Sequence, residues 1–106
     1  MPYTHLTKNP SRKFEGVLIP LEIWLYSGIN ALEKSLWAEI ESLEDDKEGG
    51  CYASNAYLCK FCAVEERRLR QMISNLKEKG LLTQVSFDGR KRILKTLLPE
   101  YRDIKK

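Results

Sequence analysis

Residues 54–97 read SNAYLCKFCAVEERRLRQMISNLKEKGLLTQVSFDGRKRILKTL, and the order of patterns inside that stretch decides the fold. From Glu65 to Lys79 the apolar residues Leu69, Met72, Ile73 and Leu76 recur at i, i+3, i+4 and i+7, which is one narrow face of a helix. Arg67, Arg68, Arg70, Gln71, Asn75 and Lys77 take the remaining positions, so one face must meet a core while the other stays in water. Gly80 stands just past the last periodic residue, where a left-handed cap favours a residue without a side chain. Lys77 and Lys79 complement the negative end of the helix dipole, and the helix is expected to stop at Lys79. Leu81 to Phe87 and Arg90 to Leu97 then read as two strands around Asp88-Gly89, a pair that accepts the positive φ angles of a type I′ turn. Arg90, Lys91 and Arg92 fall at or just after the tip of that hairpin.

Upstream, Ser54 or Asn55 offers an N-cap oxygen for a helix running to about Cys62, with Tyr57, Leu58 and Phe61 spaced to bury one side. The turn between the two helices falls at Cys62-Ala63-Val64 and holds no glycine. Its left-handed residue must therefore be of another type, or the turn is built differently. Phe14 to Ile19 suits a short strand, and Pro20 suits the first position of a short helix through Trp24 and Leu25 that Gly28 ends. Asn30 caps a helix to about Leu43 in which Leu32, Leu36, Trp37, Ile40 and Leu43 recur at helical spacing and Glu33 completes a capping box. Trp24 and Trp37 both lie at core spacing and read as packing residues rather than base-stacking platforms. Glu44 to Gly50 reads as a solvated loop, and Cys51-Tyr52 as a short strand able to pair with the hairpin. Residues 1–15 are expected to form an arm, 16–98 the folded domain and 99–106 a polar tail.

A chain of 106 residues, 42% hydrophobic and 31% charged, has room for one modest core. No apolar run approaches the roughly 20 residues a bilayer crossing needs, and the N-terminus has no secretory pattern, so a cytoplasmic protein without a membrane partner is expected. The net charge of +3 says little, but its distribution is uneven. Residues 1–59 hold five Lys and Arg against nine Asp and Glu, whereas residues 60–106 hold thirteen against six. Positive charge is concentrated on the second helix and the hairpin, as expected of a polyanion-binding face.

Helix, tight turn, basic helix and basic hairpin, in that order, form the succession by which a winged helix-turn-helix sets one helix against a DNA groove and a hairpin against the backbone. The fold class expected is mainly α with a small β-hairpin: a three-helix core plus a β-wing. Arg67, Arg68, Arg70 and Gln71 are the groove candidates, because Arg pairs bidentately with guanine and Gln with adenine. Asn55 and Lys60 on the preceding helix and Arg90, Lys91 and Arg92 on the wing are phosphate candidates, which position without specifying. Cys59-x-x-Cys62 has metal-ligand spacing, but a structural zinc site needs four ligands, and Cys51 and His5 do not complete one; no metal is expected. His5 has no evident nucleophile beside it, so no catalytic set assembles and no enzyme is expected.

Leu18-Ile19-Pro20 followed by Trp24, Leu36-Trp37-Ala38-Glu39-Ile40, Gly50-Cys51-Tyr52-Ala53-Ser54-Asn55, Tyr57-Leu58, Val64, Arg67 and Leu76-Lys77-Glu78-Lys79-Gly80-Leu81-Leu82 resemble the winged-helix domain of phage and plasmid replication proteins and small phage-type regulators. The resemblance covers residues 16–97. It implies double-stranded DNA as partner, symmetric sites that a homodimer would meet, and no cofactor, in transcription regulation or replication initiation. Such domains usually open the recognition helix with Gly-Val-Ser, where this chain has Ala63-Val64-Glu65-Glu66. A carboxylate there suits the helix dipole but occupies a phosphate-docking position, which lowers DNA affinity. The alternative is a protein-interaction module that holds a partner protein without touching DNA. Single-strand or RNA binding is disfavoured because the strands lack exposed alternating aromatics.

Overall fold

The computed structural model describes residues 16–87 and 92–99. Within them the chain builds helix α1 (Leu21–Trp24), α2 (Ala31–Ser42), α3 (Asn55–Cys62) and α4 (Glu66–Glu78), then strands β1 (Leu82–Phe87) and β2 (Arg92–Thr96). The arm up to Glu15, the turn at Asp88-Gly89, Arg90, Lys91 and most of the expected tail lie outside the described residues.

Helix α2 is the element on which the others converge, touching α1, α3, α4 and β2. Its start is fixed locally: Asn30 Oδ1 accepts from the Glu33 N–H at 2.8 Å and Glu33 Oε1 accepts from the Asn30 N–H at 2.9 Å, the reciprocal capping box that the sequence predicts. Leu36, Trp37, Ala38 and Ile40 then enter the core with Ile23, Leu58, Leu69, Met72, Leu76, Leu81 and Leu94. Each large side chain moved from water into such a core contributes roughly 1.5–3 kcal/mol before entropy is charged against it. The Trp37 indole also donates to the Leu81 carbonyl at 2.8 Å, tying α2 to the residue that opens the hairpin.

The N-terminal segment departs from the expectation. Residues 16–19 carry no strand, and Pro20 stands one position ahead of α1 as its N-cap, its carbonyl accepting from Ile23 and Trp24. The helix is a single turn and buries only Ile23. Trp24 is consequently 54% exposed rather than part of the core. Lys34 lies over it, with Nζ 5.2 Å from the ring centroid and donating to the Trp24 carbonyl.

The acidic loop is also more than a solvated connection. Glu44 Oε2 accepts from both the backbone N–H and the hydroxyl of Thr96, each at 2.6 Å, so its first carboxylate anchors the end of β2. Asp45 and Gly50 pair across the turn. Gly50 is required there: its φ is 157°, and a Cβ would fall 2.5 Å from the Leu94 carbonyl. Cys51 then exchanges two backbone hydrogen bonds with Leu94, at 2.7 and 2.8 Å, an isolated bridge where a short strand was expected, so the sheet itself stays two-stranded.

The hairpin pairs Leu82 with Thr96 through Phe87 with Arg92, antiparallel, with a bulge between Gln84 and Ser86. The result is a winged helix-turn-helix: α2, α3 and α4 form the core and β1–β2 the wing. Among the described residues, no helix is long and apolar enough to cross a membrane.

Candidate nucleic-acid interface

The turn between α3 and α4 sets the geometry of the candidate site. Ser54 Oγ caps α3 by accepting from the Tyr57 N–H at 3.1 Å. At the other end Ala63 takes the left-handed conformation, φ 57° and ψ 45°. The Val64 N–H reaches the Cys59 carbonyl and the Ala63 N–H the Lys60 carbonyl. That is a Schellman closure, and the same pair of bonds recurs at the end of α4, from Leu81 to Leu76 and from Gly80 to Lys77. At the first closure an alanine does what a glycine does at the second, which answers how a turn without glycine is made.

Helix α4 buries Leu69, Met72, Ile73 and Leu76. At about 100° per residue, the positions directly opposite that stripe are 67, 71, 74 and 78. Arg67, Gln71, Ser74 and Glu78 are all exposed, and with Arg70 and Asn75 they line one shallow groove. Two expected groove residues, Arg67 and Gln71, lie at its centre line; Ser74 and Glu78 share their helical phase and were not singled out by charge alone. Arg70 lies on the flank nearer the wing, 3.5 Å from Glu66 Oε2 one turn back, an exposed pair of small energetic weight. Lys77 on that flank donates to Gln84 of β1 at 3.3 Å. Arg68 lies on the opposite flank with Asn75, whose amide donates to Glu33 Oε2 of α2 at 2.9 Å. The buried Glu33 thus serves the cap of its own helix and the seating of α4 together.

Of the phosphate candidates, Lys60 is exposed on α3. Arg90 and Lys91 lie outside the described residues. Asn55 and Arg92 are brought into contact with each other: Arg92 donates from NH1 to Asn55 Oδ1 at 2.7 Å and from NH2 to the Ala53 carbonyl at 3.2 Å. Burial lowers the Arg92 pKa from its ordinary value. The carboxylates at the head of α4 behave differently. Glu65 is the N-cap but makes no side-chain cap bond, while Glu66 Oε2 accepts from the Asn55 amide at 3.5 Å.

The cysteines do not gather into a metal centre. Among the described residues no group of three or more His, Cys, Asp or Glu could hold an ion, and all three thiols are free. Burial, with Cys59 and Glu39 adding to it, pushes the Cys62 thiol up to about 12, and burial likewise raises Cys51. Glu39 itself is buried in α2 and accepts from the Tyr57 hydroxyl of α3 at 2.6 Å, a polar tie between helices.

A family model for a helix-turn-helix domain matches residues 27–82. The chain is also similar to a solved structure described as the N-terminal domain of a DNA binding protein, with a TM-score of 0.60 and 22% identity over 85% of this chain and 81% of that one. At that identity the likeness shows the fold alone. No curated protein matches.

Proposed function

We propose that this chain, which belongs to the helix-turn-helix domain family, binds double-stranded DNA through residues 16–98. The observation that carries the reading is the unbroken exposed face of α4, with Arg67 and Gln71 at its centre and the core stripe directly behind it. In this reading Arg67, Arg68, Arg70 and Gln71 approach base edges, where Arg selects guanine and Gln selects adenine. Lys60, Arg90 and Lys91 hold phosphates, and Glu65 and Glu66 keep phosphate away from the head of α4. The resemblance to phage and plasmid replication proteins and to small phage-type regulators extends the proposal to a regulator or replication initiator of such an element. The solved structure similar to this chain is described as part of a DNA binding protein, which is in keeping with the proposal.

Titration of a fluorescent random duplex at low and moderate salt tests this. Contacts to several phosphates make log affinity fall linearly with log salt, by about 0.9 per phosphate. Affinity that is absent, or flat with salt, would defeat the proposal. A second reading, a protein-interaction module, is favoured by one observation: Val17, Leu18, Leu21, Trp24 and Leu25 leave an apolar surface exposed around α1.

A further inference from the structure

The wing is a two-stranded hairpin, and such a ribbon does not hold its own orientation in water. Besides the Lys77–Gln84 bond to β1 and the burial of Leu82, Ile93 and Leu94, three ties hold it at alternate residues of β2. Thr96 bonds to Glu44, Leu94 to Cys51, and Arg92 to Asn55 and Ala53. The first two lie toward the base of the hairpin. Arg92 pairs with Phe87, the last residue of β1, so its tie is the nearest to the turn. It also reaches furthest into the helix-turn-helix. Asn55 is the first residue of α3, and its amide continues to Glu66 in the first turn of α4. The wing, the first helix of the motif and the head of the recognition helix therefore meet in one relay.

Two guanidinium N–H groups of Arg92 are spent inward, on oxygens 2.7 and 3.2 Å away, and the residue is partly buried. The guanidinium has five donors, but its terminal edge is engaged at both nitrogens and its Nε is buried, so neither edge is open to clamp a phosphate bidentately. We propose that Arg92 is a positioning residue: acting through Asn55, it sets the angle at which the wing leaves the helix-turn-helix, and the phosphate contacts of the wing are made by its neighbours. The inference rests on the duplex-binding reading and refines it. The planar fork is essential to this role. A lysine keeps the charge but presents it at a single nitrogen and does not reproduce the bridge between Asn55 Oδ1 and the Ala53 carbonyl.

That distinction supplies the test. Duplex affinity and its salt dependence are measured for the full chain and for R92K, N55A, K91A and the R92K/K91A pair, with a thermal melt of each. Expected are losses of about five- to tenfold for R92K and for N55A alike, although only one of them touches a charged residue. K91A alone should lower the salt slope by about 0.9, one phosphate. In the R92K background K91A should add less than about twofold, because a wing that is no longer seated has little left to lose. Melting midpoints of R92K and N55A within a few degrees of the parent keep loss of orientation apart from loss of fold. R92K binding like the parent, or K91A costing its full factor in both backgrounds, would overturn the inference while leaving the duplex reading intact. A parent chain with no salt-dependent duplex affinity defeats that reading instead, and the positioning role falls with it.

Discussion

Helices α2 and α4 are nearly equal in length and opposite in use. Of the 12 residues of α2, seven are buried, and they include Glu33, Glu39 and Ser42 as well as the apolar ones. Of the 13 residues of α4, only Leu69, Met72, Ile73 and Leu76 are buried. The first helix is surrounded, and its two buried carboxylates, Glu33 and Glu39, each bond to another element. The second is supported along one stripe and leaves the rest of its circumference to solvent. In this fold a helix that leaves most of its surface to solvent is seated against one that is almost enclosed.

Substitutions at matched places break or sharpen that contrast. The largest effect is expected at Trp37 of α2. Trp37→Ala removes the largest side chain of the core and the indole bond to Leu81, and should cost about 3–5 kcal/mol in urea unfolding, a large part of what holds a small domain together. Next comes the helix start. Asn30→Ala deletes half of the capping box and should cost about 1 kcal/mol by thermal melt. Glu65 of α4 is the counterpart without a cap bond, so Glu65→Ser should gain about 0.5 kcal/mol, the opposite sign at the equivalent position. The smallest effect on stability belongs to Arg67. Arg67→Ala should stay within about 0.5 kcal/mol of the parent in unfolding while weakening duplex binding by about tenfold. A clear loss of stability at Arg67, or none at Trp37, would show that the division of labour between the two helices is misdrawn.

What the sequence made legible follows the range of the interactions involved. The ends of α2, α3 and α4 were readable because Asn30 with Glu33, Ser54 with Tyr57, and Gly80 with Lys77 act within a few residues of one another. Even the turn without glycine was foreseeable as an exception, and Ala63 is where it is made. Trp24 was misread as a core residue because its spacing fits a longer helix; a one-turn α1 has room to bury one side chain, and Ile23 takes it. The carboxylates that bond across the fold were invisible for another reason. Glu44 meets Thr96, Glu33 meets Asn75 and Glu39 meets Tyr57, partners separated by 52, 42 and 18 positions, and no local pattern marks them. At the candidate interface, helical phase alone brings out Arg67 and Gln71, and following it further would have added Ser74 and Glu78. The meeting of Asn55 with Arg92 spans 37 positions and required the folded chain.

The stripe that seats α4 and the row that faces away from it have no residue in common. The core therefore takes no account of which helix-forming side chains stand at positions 67, 71, 74 and 78. If the duplex-binding proposal holds, a lineage descended from this chain can rewrite those four letters one at a time and change its target while each intermediate keeps its fold.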